Sequence, residues 1–224
     1  MGATLPGCQL APAPKPEPSP PAALAPLPEL PVAEAEHFTV DAAASDVRML
    51  VYRGGPLARY GHHHAIRAMH VTGDIYLAPD FHDSGFSLSV PVRDVIVDPN
   101  DARADEGAEF AIAPSAQAVE ATLKNLLGPD VLDAEHFPEI TIRSVALIGP
   151  RWGPEATVRI SLHGVARDIT VPIAIEHRGD ELITTGLLVI RTSDFGITPF
   201  SVLGGGLQVQ DEIKVRFRLV AHKG

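Results

Sequence analysis

From Leu207 to Ala221 the chain reads L-Q-V-Q-D-E-I-K-V-R-F-R-L-V-A. Ile213, Val215, Phe217, Leu219 and Ala221 take every second position, with Glu212, Lys214, Arg216 and Arg218 between them. Side chains of a strand alternate between its faces, so this stretch predicts a long strand with one dry face and one wet face. Helical spacing would scatter the charges through the apolar set. The same alternation recurs upstream. Val47, Met49 and Val51 share a face, and Phe86, Leu88, Val90 and Val92 alternate with Ser87, Ser89 and Arg93. Val158, Ile160 and Leu162 alternate with Arg159, Ser161 and His163, and Ile169, Val171, Ile173 and Ile175 follow beyond Gly164. That pair predicts a hairpin with a tight turn at His163-Gly164. Glu181 to Arg191 is apolar on both faces around Leu187-Leu188-Val189-Ile190, which predicts a strand covered on both sides.

His37–Asp41, Val71–Leu77 and Glu139–Leu147 complete the set of strands. Ser115 has the chemistry of a helix N-cap; Val119, Leu123 and Leu126 follow at helical spacing, and Gly128-Pro129 ends the run. About eight strands with one short helix predict a mainly β fold, an antiparallel sheet that closes into a barrel. What such a barrel does depends on whether side chains fill its interior or leave room for a ligand.

Composition narrows the classes. The chain has 224 residues and is 45% hydrophobic, enough for one sizeable core. Its formal charge of -10 argues against nucleic acid as a partner, because phosphate binding needs a basic face. No apolar run approaches the roughly 18 residues of a membrane-spanning helix. Residues 1–36 hold P-A-P-K-P-E-P-S-P-P from Pro12 to Pro21, and proline cannot join a helix interior or a sheet ladder. This segment is expected to be a disordered, Pro-rich tether, with the folded unit spanning residues 37–224. The lone cysteine, Cys8, excludes an internal disulfide. It lies in L-P-G-C, which resembles a bacterial lipoprotein cleavage site and makes Cys8 a candidate lipid anchor, hence membrane attachment through the N-terminus. That expectation requires a basic and apolar run in frame upstream.

The inward positions Phe86, Leu88, Ile142, Val158, Ile160, Leu188, Ile190, Val215 and Phe217 are the candidate ligand-binding residues. Each alone reads equally as core; the set is what argues for a cavity. A second candidate site is the histidine cluster of His62, His64 and His70, which carries enough imidazole for a transition metal. No H-E-x-x-H spacing supports zinc, and a short His tract also reads as a polar loop at a barrel mouth. No catalytic constellation stands out. There is no G-x-S-x-G elbow and no cysteine beside a base, and Asp194-Phe195-Gly196 lacks the rest of a kinase pattern. Asp194 is expected to fix a turn, as is His136.

Four stretches carry a family resemblance. They are Val131-Leu132-Asp133-Ala134-Glu135-His136-Phe137-Pro138-Glu139-Ile140 with Arg143-Ser144; Leu162-His163-Gly164-Val165-Ala166-Arg167; Arg191-Thr192-Ser193-Asp194-Phe195-Gly196-Ile197; and Phe38-Thr39-Val40-Asp41 with Ser45. In this order they resemble the YceI-like family, the lipocalin-like, polyisoprenoid-binding barrels of the bacterial periplasm. The resemblance implies an elongated lipocalin-like barrel that binds an isoprenoid quinone, a polyprenyl lipid or a similar amphiphile without acting as an enzyme, in the periplasm or cell envelope. The Gly61-His62-His63-His64 run departs from the Gly and aromatic that family members often carry there. The alternative is a metal- or redox-linked envelope protein using His62, His64 and His70.

Overall fold

The computed structural model describes residues 24–224. The chain forms β1 (Glu36–Val40), β2 (Asp46–Gly54), β3 (His64–Ala68), β4 (Thr72–Leu77), β5 (Gly85–Pro91) and β6 (Val95–Val97). Two helices follow, α1 (Asn100–Asp105) and α2 (Ala116–Leu127). Then come β7 (Glu139–Ile148), β8 (Glu155–Leu162), β9 (Val165–Arg178), β10 (Glu181–Arg191), the short β11 (Ser201–Val202) and β12 (Leu207–Lys223).

All strands belong to one 12-stranded antiparallel sheet. The long β12 organises it. Along one edge it pairs with β10 from Arg191↔Glu212 to Glu181↔His222. Along the other it pairs first with β2 and then, past Arg218, with β1. The β1–β12 pairing closes a ring of eight strands, β1-β4-β5-β7-β8-β9-β10-β12. The expected closed antiparallel barrel is therefore present. β2, β3 and β6 extend the sheet from β12 as a flap outside the ring order.

Local chemistry explains the joints. The β8–β9 hairpin turns through His163 at φ 52 and Gly164 at φ 73, two left-handed residues that match the twist of the flanking strands. Gly164 is needed for space as well, since a Cβ there would lie 2.6 Å from Cε1 of Phe137. The Ser115 hydroxyl accepts from the Ala118 amide at 3.3 Å, capping α2 as its sequence predicts. The register of β12 against β2 slips between Val209 and Ile213. Such a bulge re-aims the side chains within it. Here it turns Asp211 onto the Thr192–Ser193 turn, where it accepts from the Thr192 hydroxyl at 2.9 Å, the Ser193 amide at 2.8 Å and the Ser193 hydroxyl at 2.6 Å. Asp211, not Asp194, fixes that turn. His136 behaves as expected, with Nδ1 donating to Asp133 at 2.9 Å.

The acidic stretch after Asp98 holds α1 and a helical turn at Ala108–Phe110, whose Ala102 and Phe110 pack on Leu50 and Ala65 outside the flap. Two expectations need correction. The outer face of β10 is not covered, for Leu187 and Val189 remain 44% and 45% exposed. The tether also reaches the folded unit. Cys8 and the proline tract from Pro12 to Pro21 lie outside the described residues. From residue 24 onward, however, the chain lies along the barrel wall. Arg159 Nη1 donates to the Ala25 carbonyl at 2.7 Å and Arg143 Nη2 to that of Pro28 at 3.2 Å. Leu30 presses on Gly85, where a Cβ would come 2.8 Å from its Cδ2.

Candidate functional site

In a filled barrel the inward side chains are the most buried residues of the chain. Here part of the wall shows the reverse. On β2 the outward Arg48 and Leu50 are 9% and 2% exposed, because α1 and its following turn cover them. The inward Val47 and Met49 are only half-buried. Ile75 on β4, Ile142 on β7, Leu188 and Ile190 on β10, and Ile213, Val215 and Phe217 on β12 are half-buried in the same way. They face inward yet a water-sized sphere still reaches them. The interior is hollow.

The hollow is a cavity of about 250 Å³. Its lining is hydrocarbon apart from Ser84, Thr184 and Thr192, and includes no charged side chain. The Ser84 hydroxyl accepts from the Ala78 amide at 3.0 Å, and the Thr192 hydroxyl donates to Asp211. A hydrocarbon-walled space of this kind does not hold ordered water, which needs two to four polar partners.

The structure brings Phe86, Leu88, Ile142, Val158, Ile160, Leu188, Ile190, Val215 and Phe217 together on this lining. Period-two alternation places them there, since each shares its strand face with the next. Leu88, Val158 and Ile160 are buried at 8%, 4% and 7% exposure, and the others are half-buried. Sequence reasoning missed Ile75 and Leu77, and it missed Leu126, Val131 and Leu132, which line the hollow from α2 and the turn behind it. Alternation within Thr72–Leu77 was a usable signal for the first pair. Helical spacing puts Leu126 on the apolar face of α2, but nothing local marks Val131 and Leu132, which tertiary packing turns inward.

The histidines do not converge. His64 opens β3 and His70 follows its far end, about 20 Å away at the rise of an extended strand. His70 Nδ1 donates to Asp94 at 3.0 Å. His64 Nδ1 donates to Asp98 at 2.6 Å, and the His62 and His64 ring centroids are 6.4 Å apart. Among the described residues no three His, Cys, Asp or Glu side chains form a group able to hold a metal ion. The metal expectation for His62, His64 and His70 is thus corrected: β3 separates His70 from the other two, and His64 has a structural partner.

That partner belongs to a buried polar knot. Asp98, at φ 56 and 8% exposure, accepts from His64, from the Ala65 amide at 2.9 Å and from Arg103. Burial opposes the charge on Asp98, but these hydrogen bonds outweigh it and hold the carboxyl below its ordinary range. Arg103, 4% exposed, also donates to the carbonyls of His63, Phe110 and Ile112. The knot ties the histidine loop to the covering layer. Burial first, then nearby cationic groups, keeps His62 and His63 below the usual histidine range, so both are neutral near pH 7.

Known proteins fit this geometry. The crystal structure of Burkholderia cenocepacia BcnA is similar at a TM-score of 0.59 and 17% identity, over 81% of this chain and 98% of that one. The Campylobacter jejuni YCEI protein is similar at a TM-score of 0.51 and 14% identity, over 71% of this chain and 84% of that one. At these identities the likeness shows the fold. No curated protein sequence matches this chain significantly. Residues 38–221 match the YceI-like domain, from the core of β1 to the end of β12, and the chain is a member of the YceI-like family.

Proposed function

We propose that this protein binds a long apolar amphiphile, such as an isoprenoid quinone or a polyprenyl lipid, in the barrel interior and carries it without covalent chemistry. The observation that supports this reading is a hollow whose inward side chains are less buried than covered outward ones, with no charge on its lining. Moving a hydrocarbon chain from water into such a space gains about 0.8 kcal/mol for each CH₂ buried. About ten buried methylenes therefore suffice for micromolar binding with no polar anchor. The family's association with polyisoprenoids points to the same ligand class. The Ser84 and Thr184 hydroxyls have no acid or base beside them in the lining, and Asp211 holds the Thr192 hydroxyl as part of a turn together with Ser193, so the reading is of a carrier rather than a catalyst. It includes a location in the bacterial cell envelope, with Cys8 as an acylated anchor.

The test is mass spectrometry of an organic extract from natively purified protein. The reading expects one class of long-chain amphiphile, close to stoichiometric with the protein. An extract whose lipids match the bulk membrane and vanish on washing would contradict it. For the anchor, Cys8→Ser should move the protein from the membrane fraction to the soluble fraction; an unchanged distribution would remove the anchor.

A further inference from the structure

We infer that the amphiphile's tail enters the barrel sideways through a seam between β9 and β10, and that a groove outside this seam holds an anionic head group at Arg218. The inference rests on the lipid-binding reading above and adds a route and a head-group class to it.

The seam is a break in hydrogen bonding. β9 and β10 pair from Arg178↔Glu181 only as far as Ile173↔Gly186. Beyond that point β9 stays with β8 back to Val165, while β10 stays with β12 on to Arg191. Two neighbouring strands part within the wall. Pro172 explains the place, since it follows the last pair and has no N–H to extend the ladder. Gly186 explains the lining. It is inward-facing and leaves a gap that the Phe217 ring occupies, close enough that a Cβ would meet its Cζ at 2.5 Å.

A groove of about 530 Å³ lies over the parting, walled by Pro172, Ala174, Thr185, Leu187, Arg216 and Arg218. Ile173 and Phe217 line both this groove and the hollow, so single side chains separate the two. Leu126 and Leu132 line the hollow towards one end of the barrel, and Phe81 and Leu147, each 6% exposed, line it towards the other.

Charge selects the head group. Asp46, which also borders the groove, is matched by Arg48 at 2.6 Å and Arg67 at 2.9 Å. Arg216 is matched by Glu106 at 3.1 Å. Arg218 donates to the Ala44 carbonyl at 3.1 Å and, among the described residues, pairs with no carboxylate. A carboxylate or phosphate in the groove would complete it, with the exposed Leu187 leading the chain inward.

The experiment uses a fluorescent polyene fatty acid and its methyl ester with the full chain. In a Cys8→Ser background, Thr185→Cys is capped with a bulky methanethiosulfonate reagent that dithiothreitol removes. Capping should slow uptake of both probes at least about tenfold, and dithiothreitol should restore it. Separately, Arg218→Ala should weaken the acid about tenfold and leave the ester unchanged, with Arg218→Lys recovering most of the loss. Circular dichroism verifies that each variant is folded. Uptake unaffected by the cap overturns the side entry, and acid and ester weakened alike, or neither weakened, overturns the head-group assignment. If uncapped wild type takes up neither probe, the lipid-binding reading fails and this inference falls with it.

Discussion

The Phe217 ring on β12 lies across Gly186 of β10, its partner in the ladder, so closely that a Cβ there would sit 2.5 Å from Cζ and 3.1 Å from the Pro172 carbonyl oxygen. A side chain at position 186 has to displace either a rigid ring or the backbone. Gly186→Ala should therefore destabilise by about 1–3 kcal/mol, the usual consequence of overpacking. In a Phe217→Ala background the same substitution should cost much less. Urea denaturation of the four proteins in this cycle measures the coupling.

A hollow interior makes identical truncations unequal. Leu50 is 2% exposed and packed against Ala65, Ala102 and Phe110, so Leu50→Ala should cost about 2–5 kcal/mol. Leu188 faces the hollow and already lacks contacts on one side. Leu188→Ala in ligand-free protein should cost about 1–2 kcal/mol, chiefly the transfer of its own methylenes. Denaturant midpoints for the two variants make the comparison, and equal losses would mean that the interior is filled.

Filling the space should act on binding rather than folding. Leu188→Trp introduces a large apolar side chain where room exists, so stability should hold within about 1 kcal/mol. Affinity for an apolar probe should fall about tenfold or more. Isothermal titration together with thermal unfolding separates the two effects.

Asp211 sets a pH dependence. Burial alone would raise its pKa, but hydrogen bonds from the Ser193 hydroxyl and amide and from the Thr192 hydroxyl prevail and hold it at about 2. A carboxylate whose folded pKa is depressed stabilises the fold above its unfolded value, near 3.8, and that contribution disappears as pH falls toward 2. Asp211→Asn should thus be less stable than wild type at pH 7, by on the order of 1 kcal/mol after solvent screening. The gap should narrow between pH 4 and pH 2, as followed by thermal unfolding across that window.

Much of the barrel was legible because a half-buried strand repeats every two residues. β12, β8, β9 and β5 each show several turns of that repeat, and it also identifies the side chains on the cavity wall. β6 and β11 span only Val95–Val97 and Ser201–Val202, too short for a period to appear. β3 was hidden by the histidine run that opens it, and α1 by its acidic composition. The apolar outer face of β10 led to an expectation of cover because burial is the ordinary reason for apolar residues on both faces. Here Leu187 and Val189 stay exposed beside a seam that only the pairing register reveals. Adjacency in sequence also misled at the histidines, since an extended strand carries His64 and His70 apart. Whether the interior was hollow or filled could not be read from alternation, which is the same in both cases. It depends on how the ring closes, a property of β1 meeting the end of β12.

The most direct measurement is a titration of delipidated protein with an environment-sensitive apolar fluorophore, followed by competition with a long-chain prenyl alcohol. A hollow that accepts a hydrocarbon chain predicts saturable binding near one probe per protein, displaced by the prenyl alcohol and insensitive to salt. A signal that rises without saturation, or a saturable one that the prenyl alcohol leaves untouched, would contradict it.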